Sequence, residues 1–343
     1  MSDQVGRATM RDVAALAGVS IKTVSRVVNA EAGVADAVRE RVQDAVGRLD
    51  YRHHLAASNL RRGGGRSGLI GALLQDVSNS FSAALLRSLE DAARNRGTAI
   101  LSASLDEEPD RERALVHDLV TRRVDGLVLM PSTDRQDYLS SEVRAGLPVV
   151  FVDREPSGVA ADSVTVENFE GAQMGVEHLL AQGHRRIACL TDLAEIHTAR
   201  SRRDGYVEAF RARGLHPVDQ LSAQGLRGPG AAEAAVLQLL DLARPPTAIF
   251  AARNDLTQGA VRALRQRGLS DSVALVGFDD FPLADLVTPA LTVVRQDVGR
   301  IGRLTADLIL ARIDGDTSPP QRIIVEPTLV VRGSGEIPPH QSD

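Results

Sequence analysis

The sequence predicts an α/β protein in which a small helical module precedes doubly wound parallel sheets. The chain has 343 residues, too many for one ordinary core, which indicates two or three domains. Residues 67–332 alternate short apolar runs with amphipathic segments, the pattern of strands and helices in parallel sheets. Residues 1–62 carry ten basic and seven acidic side chains, whereas the whole chain has a net charge of −5. A basic head on an acidic body is typical of a phosphate-binding module joined to a larger core.

The first two predicted helices form a helix-turn-helix. Thr9 and Asp12 make a capping box that begins a helix over Met10–Ala17. Gly18 ends this helix because the turn there needs a positive φ. A second helix, Ile21–Val28, follows at once, and two short helices joined by a tight turn with glycine are typical of this motif.

A third helix is predicted over Asp36–Leu49, with Ala35 at the position where a capping hydroxyl is favourable. The missing cap costs about 1 kcal/mol, which frays the helix without abolishing the module. A short helix is predicted at about 54–60, followed by a glycine-rich linker over 61–66. The helical module therefore spans residues 1–60.

The core is predicted to contain strands joined by helices. The predicted strands are Leu69–Leu74, Ala99–Leu101, Gly126–Met130, Pro148–Val152, Ile187–Leu190, Ala248–Phe250 and Val273–Gly277. The predicted helices are Ser82–Arg96, Asp110–Arg122, Glu170–Ala181, Ala199–Arg213, Ala231–Leu242 and Leu256–Arg267.

Polar side chains recur directly after these apolar runs. They are Gln75, Asp76, Ser78 and Asn79, then Asp153 and Arg154, Thr191 and Asp192, Arg253 to Asp255, and Asp279 and Asp280. Doubly wound sheets bind ligands outside the carboxyl ends of their strands. With Phe81 or Phe278 as an apolar wall, these groups suit a small polar ligand. One such residue alone is more often a helix cap or a solvated loop group, so the recurrence carries the argument.

Several function classes lack their signatures. No metal-binding, nucleophile-elbow or phosphate-loop motif occurs, so we predict no enzyme, no cofactor and no metal. Gly63, Gly65 and Gly68 have dinucleotide-fingerprint spacing but precede a strand, which indicates a linker. His178 and His184 are expected to be surface or capping residues. No apolar run spans a membrane, and the expected location is cytoplasmic, at the nucleoid.

The chain resembles the family of bacterial transcription regulators that includes the lactose and purine repressors. The matching segments are Thr9–Ala14, Gly18–Ser20, Thr23–Asn29, Val124–Gly126, Pro148–Arg154, Gly183–Ile187, Asn254–Asp255 and Val276–Asp280. They run in order over residues 8–332, and the first three form the most specific part.

The resemblance implies a head-piece, a hinge helix and a two-lobed core like that of periplasmic binding proteins. It implies an N-lobe of about 67–166 and 297–322 and a C-lobe of about 167–296 and 323–332. The remaining residues, 333–343, are rich in Gly and Pro, which predicts a flexible tail. It also implies a homodimer that binds a palindromic operator, most often as a repressor, with an effector between the lobes. A sugar or sugar derivative is favoured over a nucleobase or nucleoside.

Site residues follow from the same resemblance. The DNA-binding set is Thr9, Ser20, Ile21, Lys22, Thr23, Ser25, Arg26, Asn29, Ala57 and Leu60, with Leu60 as a minor-groove wedge. The effector-binding set is Phe81, Asp153, Arg202, Asn254 and Asp279. The alternatives are that Asp279 is a helix cap and Arg202 a surface ion pair.

Two features of the sequence depart from the family pattern, and two other functions were weighed against that of a regulator. His53 stands where the family commonly has a proline before the hinge helix. The tail lacks a leucine heptad, so a dimer is expected rather than a tetramer. A transport receptor or an α/β enzyme with a helical appendage remains possible in principle, but the basic head and the missing catalytic motifs disfavour both.

Overall fold

The computed structural model describes residues 8–29, 31–51 and 66–339. The chain forms two compact units, residues 1–67 and 68–343. We call the described part of the first unit the head-piece and the second unit the core. The predicted hinge helix at about 54–60 lies outside the described residues.

The head-piece contains α1 (Met10–Ala17), α2 (Ile21–Val28) and α3 (Asp36–Arg48). The capping box at α1 is confirmed, since Thr9 Oγ1 accepts from Asp12 N and Thr9 N donates to Asp12 Oδ2 at 2.7 Å. Gly18 ends α1 with φ of +63°, and Ser20 caps α2. Ala35 offers no side-chain cap to α3, as expected. Local capping therefore sets the helix boundaries here.

The head-piece helices pack around a small aliphatic core. Val13, Val24 and Val42 come from the three helices and are fully buried. Because α2 buries Val24 and Val27, the opposite side of that helix is left for Ile21 and Lys22, which are exposed.

The core contains two sheets of six strands among the described residues. The first has the order β11-β5-β4-β3-β1-β2 and the second β12-β10-β9-β8-β6-β7. Their strands are β1 (Leu69–Leu74), β2 (Ala99–Ser104), β3 (Gly126–Leu129), β4 (Val149–Val152), β5 (Asp162–Val166), β6 (Ile187–Leu190), β7 (Ser222–Ala223), β8 (Ala248–Ala251), β9 (Ala274–Phe278), β10 (Thr292–Arg295), β11 (Arg322–Val325) and β12 (Thr328–Val330). All pairings are parallel except that of β10 with β12.

Helices cover the two sheets. They are α4 (Ser80–Arg94), α5 (Pro109–Thr121), α6 (Ser140–Arg144), α7 (Asn168–Ala181), α8 (His197–Arg211), α9 (Gly228–Leu240), α10 (Asn254–Arg267) and α11 (Val298–Ile313). Hydrophobic clusters fill the space on both faces of each sheet. The fold is therefore the predicted pair of doubly wound lobes. None of the described helices is both long enough and apolar enough to span a bilayer.

The chain crosses between the lobes after Val166, after Arg295 and after Val325. The third crossing differs from the predicted boundary at residue 322. Strand β11 pairs in parallel with β5, from Arg322 beside Ser163 to Val325 beside Val166, so it belongs to the N-lobe. This pairing joins segments about 160 residues apart and has no local signal.

The predicted flexible tail is wrong for residues 333–339. Ser334 is buried and its hydroxyl donates to the carbonyl of Leu275. Glu336 lies 2.5 Å from His178, and the Ile337 carbonyl lies 2.8 Å from His184 Nε2. The segment therefore packs on the C-lobe, and the expectation that His184 lies at the surface is also wrong. Desolvation lowers the pKa of this fully buried imidazole.

Candidate functional site

Five of the ten residues predicted to bind DNA lie on α2. Ile21 and Lys22 are exposed, whereas Thr23 and Ser25 are half-buried. Within the described residues the structure gives the Lys22 ammonium no hydrogen-bond or ion-pair partner, so its charge is available to an external acceptor. One face of a short helix thus combines a cation, an apolar side chain and hydroxyl groups.

Two further predicted residues, Arg26 on α2 and Asn29 just after it, have contacts of their own. Arg26 Nη2 donates to the carbonyl of Ala32 at 2.6 Å, and its Nε lies 3.7 Å from Glu31. The guanidinium is therefore directed at the loop after α2. Asn29 Nδ2 donates to Ser25 Oγ at 3.2 Å.

The remaining predicted DNA-binding residues are helix caps or lie outside the described chain. Thr9 and Ser20 are exposed at the first turns of α1 and α2, where their hydroxyls cap backbone N–H groups. Ala57 and Leu60 lie outside the described residues.

In the core, an aspartate follows the central strand of each lobe in the same unusual conformation. Asp153 after β4 and Asp279 after β9 have φ of +68° and +71°. Asp153 N donates to the carbonyl of Val164, and Asp279 N donates to that of Val294. Left-handed conformations outside glycine cost energy and concentrate at functional sites. Each lobe thus positions one carboxylate at the end of a strand through a left-handed backbone conformation and a backbone hydrogen bond.

All five residues predicted to bind the effector line one cavity between the lobes. It has a volume of about 50 Å³, and we call it the inner subsite. Phe81 and Asp153 come from the N-lobe, and Arg202, Asn254 and Asp279 come from the C-lobe. The structure therefore brings together all members of the predicted set, while their role stays a prediction.

Arg202 is held on four sides. It is only 5% exposed, so it is not a surface ion pair. Its Nε donates to Asn168 Oδ1 at 2.7 Å, and its Nη1 donates to the carbonyl of Ala252 at 2.8 Å. The guanidinium lies 3.8 Å from the centre of the Phe278 ring, a cation–π contact. Its Nη1 also lies 3.7 Å from Asp279 Oδ2.

Asp279 is not a helix cap. Its Oδ1 accepts a hydrogen bond from Gln296 Nε2 at 2.5 Å, and the carboxylate is buried. Gln296 also lines the inner subsite but was not predicted. It directly follows β10, a strand absent from the predicted elements, so the strand-end rule could have found it had that strand been recognised.

Asn254 joins the two lobes. Its Nδ2 donates to Asn79 Oδ1 at 3.0 Å and to Ser80 Oγ at 2.9 Å. Asn79 Nδ2 returns a hydrogen bond to Asn254 Oδ1 at 3.0 Å. This reciprocal amide pair closes the inner subsite on one side.

Burial raises the pKa of Asp153, and the positive charges of Arg154 and Arg202 oppose that rise. Arg154 is itself buried and ion-paired, with its guanidinium donating to Glu107 at 2.6 and 2.8 Å and to the carbonyl of Pro131 at 2.6 Å.

Two buried polar atoms around the inner subsite have no hydrogen-bond partner among the residues that the structure describes. They are Arg154 Nε, a donor from the N-lobe, and Gln296 Oε1, an acceptor from the C-lobe side. Buried polar groups are rarely left unpaired, and a water or ligand commonly satisfies those that are. A hydroxyl group can accept from one atom and donate to the other.

A larger cavity adjoins the inner subsite. It has a volume of about 650 Å³, and we call it the outer cavity. Four residues, Gln75, Asn79, Asp192 and Arg253, line both cavities. All four are among the polar groups found after the apolar runs in the sequence.

Other reactive groups form no second site. No cluster of three or more potential ligands for a metal occurs in the parts of the chain that the structure describes. Cys189 is fully buried, and burial raises the pKa of its thiol to about 12, so it is an inert core residue.

Comparisons with known proteins match both units. A family model described as bacterial regulatory proteins, lacI family, matches residues 9–53, and a periplasmic binding protein-like domain matches residues 176–335. The ribose operon repressor of Escherichia coli is 32% identical over 330 residues, which are 95% of this chain and 99% of that protein.

Solved structures of transcription regulators also resemble the chain over nearly its whole length. The transcriptional regulator CelR in complex with cellobiose is 32% identical, with a TM-score of 0.70 over 96% of this chain and 100% of that one. The lac repressor dimer bound to operator and the anti-inducer ONPF is 26% identical, with a TM-score of 0.81 over 96% of this chain and 99% of that one.

Proposed function

The chain belongs to the lacI family of bacterial regulatory proteins, and from that premise we propose how this member binds its operator and its effector. It is a DNA-binding transcriptional regulator and not an enzyme. We infer that it represses transcription as a homodimer on a palindromic operator at the nucleoid. A sugar or sugar derivative in the cleft then changes its operator affinity, and a nucleobase or nucleoside is the second candidate.

The exposed side of α2 supports the DNA-binding part of the proposal. A recognition helix lies in the major groove, where a lysine can donate to O6 and N7 of guanine. Lys22 is exposed and unpartnered within the described chain, so it needs no rearrangement to do this. Arg26 must first leave the Ala32 carbonyl, which suits a phosphate contact that forms on docking.

The unpaired atoms of the inner subsite carry the effector part of the proposal. Arg154 Nε and Gln296 Oε1 supply one donor and one acceptor from residues that line this cavity. Because a hydroxyl supplies both complements, a polyhydroxylated molecule fits better than an apolar one. Asp279 and Arg202 add an acceptor and a donor on the C-lobe side.

The size of the inner subsite supplies a way for the ligand to act. A cavity of about 50 Å³ is far smaller than the roughly 300–1,000 Å³ of the sites that enclose small-molecule ligands. A ring can enter only if the Asn79–Asn254 amide pair separates and the lobes move apart. The ligand therefore favours the wider arrangement and shifts the equilibrium between two states of unequal affinity. In a dimer, this changes the spacing of the two head-pieces.

Fluorescence anisotropy with labelled fragments from upstream of the gene and its neighbours tests the proposal. We expect a site-specific complex that survives at physiological salt, where non-specific binding is weak. A panel of sugars and nucleosides should then change the operator affinity of the full chain. Binding that shows no sequence preference, or that no member of the panel alters, would contradict the proposal.

A further inference from the structure

We propose that Glu107 is a positioning residue of the effector site. It holds the Arg154 guanidinium so that one N–H is left for the inner subsite and the carboxylate of Asp153 stays free. Glu107 itself lines the outer cavity and not the inner subsite, so it acts on a bound effector through Arg154. This inference rests on the proposed function, because it specifies which residues prepare that same cleft for its effector.

The contact with Glu107 occupies one end of the guanidinium. Arg154 Nη1 donates to Glu107 Oε2 at 2.8 Å and Nη2 donates to Glu107 Oε1 at 2.6 Å, a bidentate contact. Nη1 also donates to the carbonyl of Pro131 at 2.6 Å. Among the residues that the structure describes, Nε is the one nitrogen of this guanidinium without a partner. Because a guanidinium is planar and rigid, fixing its Nη end also fixes the direction of the Nε–H bond.

Both side chains of this ion pair are shielded from solvent. The side chain of Arg154 is 10% exposed and that of Glu107 is 8% exposed. A buried ion pair usually stabilises a fold no more than an apolar pair of similar volume does, since both charges must lose their hydration. Stability alone therefore does not explain why the pair lies beside the cleft.

Asp153 is a second carboxylate within reach of Arg154. Asp153 Oδ2 lies 3.7 Å from Arg154 Nε, too far for a hydrogen bond, and no donor in the described part of the chain bonds this carboxylate. A third carboxylate near Arg154, that of Asp192, is already paired with Arg253. Glu107 and Asp153 thus compete for one guanidinium. If Glu107 lost its charge, Arg154 would turn toward Asp153 and cover the oxygens that are proposed to contact the effector.

The turn between β2 and α5 is unfavourable for glutamate on local grounds. Glu108 N donates to the carbonyl of Leu105 at 3.0 Å, and the two residues between them, Asp106 and Glu107, have φ of +55° and +57°. Turn positions with positive φ favour glycine and asparagine, and other residues held there concentrate at functional sites. The contact of Glu107 with Arg154 must therefore compensate for the strain of this turn.

A crystal structure of the Glu107→Gln variant, as the full chain without effector, tests the positioning role directly. Glutamine keeps the size of the side chain and one acceptor but removes the charge and the second carboxylate oxygen, so the fold should survive. We expect the Arg154 guanidinium to turn until it lies about 2.9 Å from a carboxylate oxygen of Asp153. An Arg154 that keeps its wild-type position would overturn the inference, whatever the effector is.

Isothermal titration calorimetry measures the consequence for binding. The probes are ribose, glucose, cellobiose, adenosine and cytidine, and the one that binds the wild type most tightly is used for the variants. We expect Glu107→Gln to lower its affinity about tenfold, as the loss of one charge-assisted hydrogen bond does. In an Arg154→Met background the same substitution should change the affinity by less than about twofold, because no guanidinium is left to position. Equal effects in the two backgrounds would overturn the inference.

Glu108→Gln is the matched control, because Glu108 is the next residue, is exposed and lines neither cavity. It should keep both the affinity of the wild type and the position of Arg154. Failure of every probe to bind the wild type would contradict the proposed effector response. The crystal structure of Glu107→Gln would still decide the positioning role in that case.

Discussion

Replacing Arg202 tests whether the buried polar cluster of the C-lobe acts as one unit. Arg202→Ala removes two hydrogen bonds of 2.7 and 2.8 Å, a cation–π contact with Phe278 and the positive charge nearest to Asp279. Both side chains of the Arg202–Asp279 pair are at least nine-tenths buried, so solvent screens the charge of Asp279 only weakly once its partner is lost.

We expect Arg202→Ala to lower the free energy of unfolding by about 3–5 kcal/mol, the usual loss when one partner of a buried ion pair is removed. The hydrogen bonds alone would account for roughly 1.5–3 kcal/mol each, since they involve a charged donor, but these losses overlap and do not add. Much of the cost is the desolvated charge left on Asp279. In an Asp279→Asn background that charge is absent, so Arg202→Ala should cost roughly 1–3 kcal/mol less.

Urea unfolding followed by circular dichroism measures the four free energies of this double-mutant cycle. Arg203→Ala is the control, because Arg203 is on the same helix with its side chain 46% exposed, and it should change stability by no more than about 0.5 kcal/mol. Additivity of the two core substitutions within about 0.5 kcal/mol would refute the coupling between them. The result also decides how ligand-binding data are read, since Asp279→Asn becomes the better probe if Arg202→Ala unfolds the C-lobe.

Four further predictions concern DNA, assembly and pH. Lys22→Ala should weaken the free energy of operator binding by about 1–3 kcal/mol and relax the base preference at one base pair of the operator. Equal weakening on all DNA sequences in binding titrations would instead indicate a phosphate contact. Leu60→Ala should weaken specific binding and reduce DNA bending with effector affinity unchanged, and bending that persists in gel-mobility assays would remove its role as a wedge. Light scattering at micromolar concentration should give the mass of two chains, and a mass near four chains would contradict the dimer. Burial raises the pKa of Asp153 in the folded state, so ionisation of this carboxyl opposes folding above its unfolded pKa of about 3.9. Asp153→Asn should therefore be more stable than the wild type at neutral pH, and this difference in stability should vanish as the pH falls below that value. A difference in urea unfolding that does not depend on pH would contradict the reasoning.

The sequence by itself determined the head-piece and the position of the cleft. Thr9, Gly18 and Ser20 set helix boundaries through contacts within three or four residues, and such contacts are visible in a linear pattern. Polar residues after apolar runs located the cleft, because parallel strands of one sheet end at the same edge. This rule identified Asn79, Asp192 and Arg253, which line the inner subsite in the structure.

Only the tertiary structure decided how the cleft is closed and what remains unpaired in it. The Asn79–Asn254 pair joins residues 175 positions apart, and Gln296 reaches Asp279 from the end of a strand that pairs with β9 in the folded sheet. The packing of residues 333–337 on His178 and His184 and the placement of β11 beside β5 have the same origin. In each case the stabilising contact lies across the fold, where local sequence patterns carry no information about distance, burial or hydrogen-bond satisfaction.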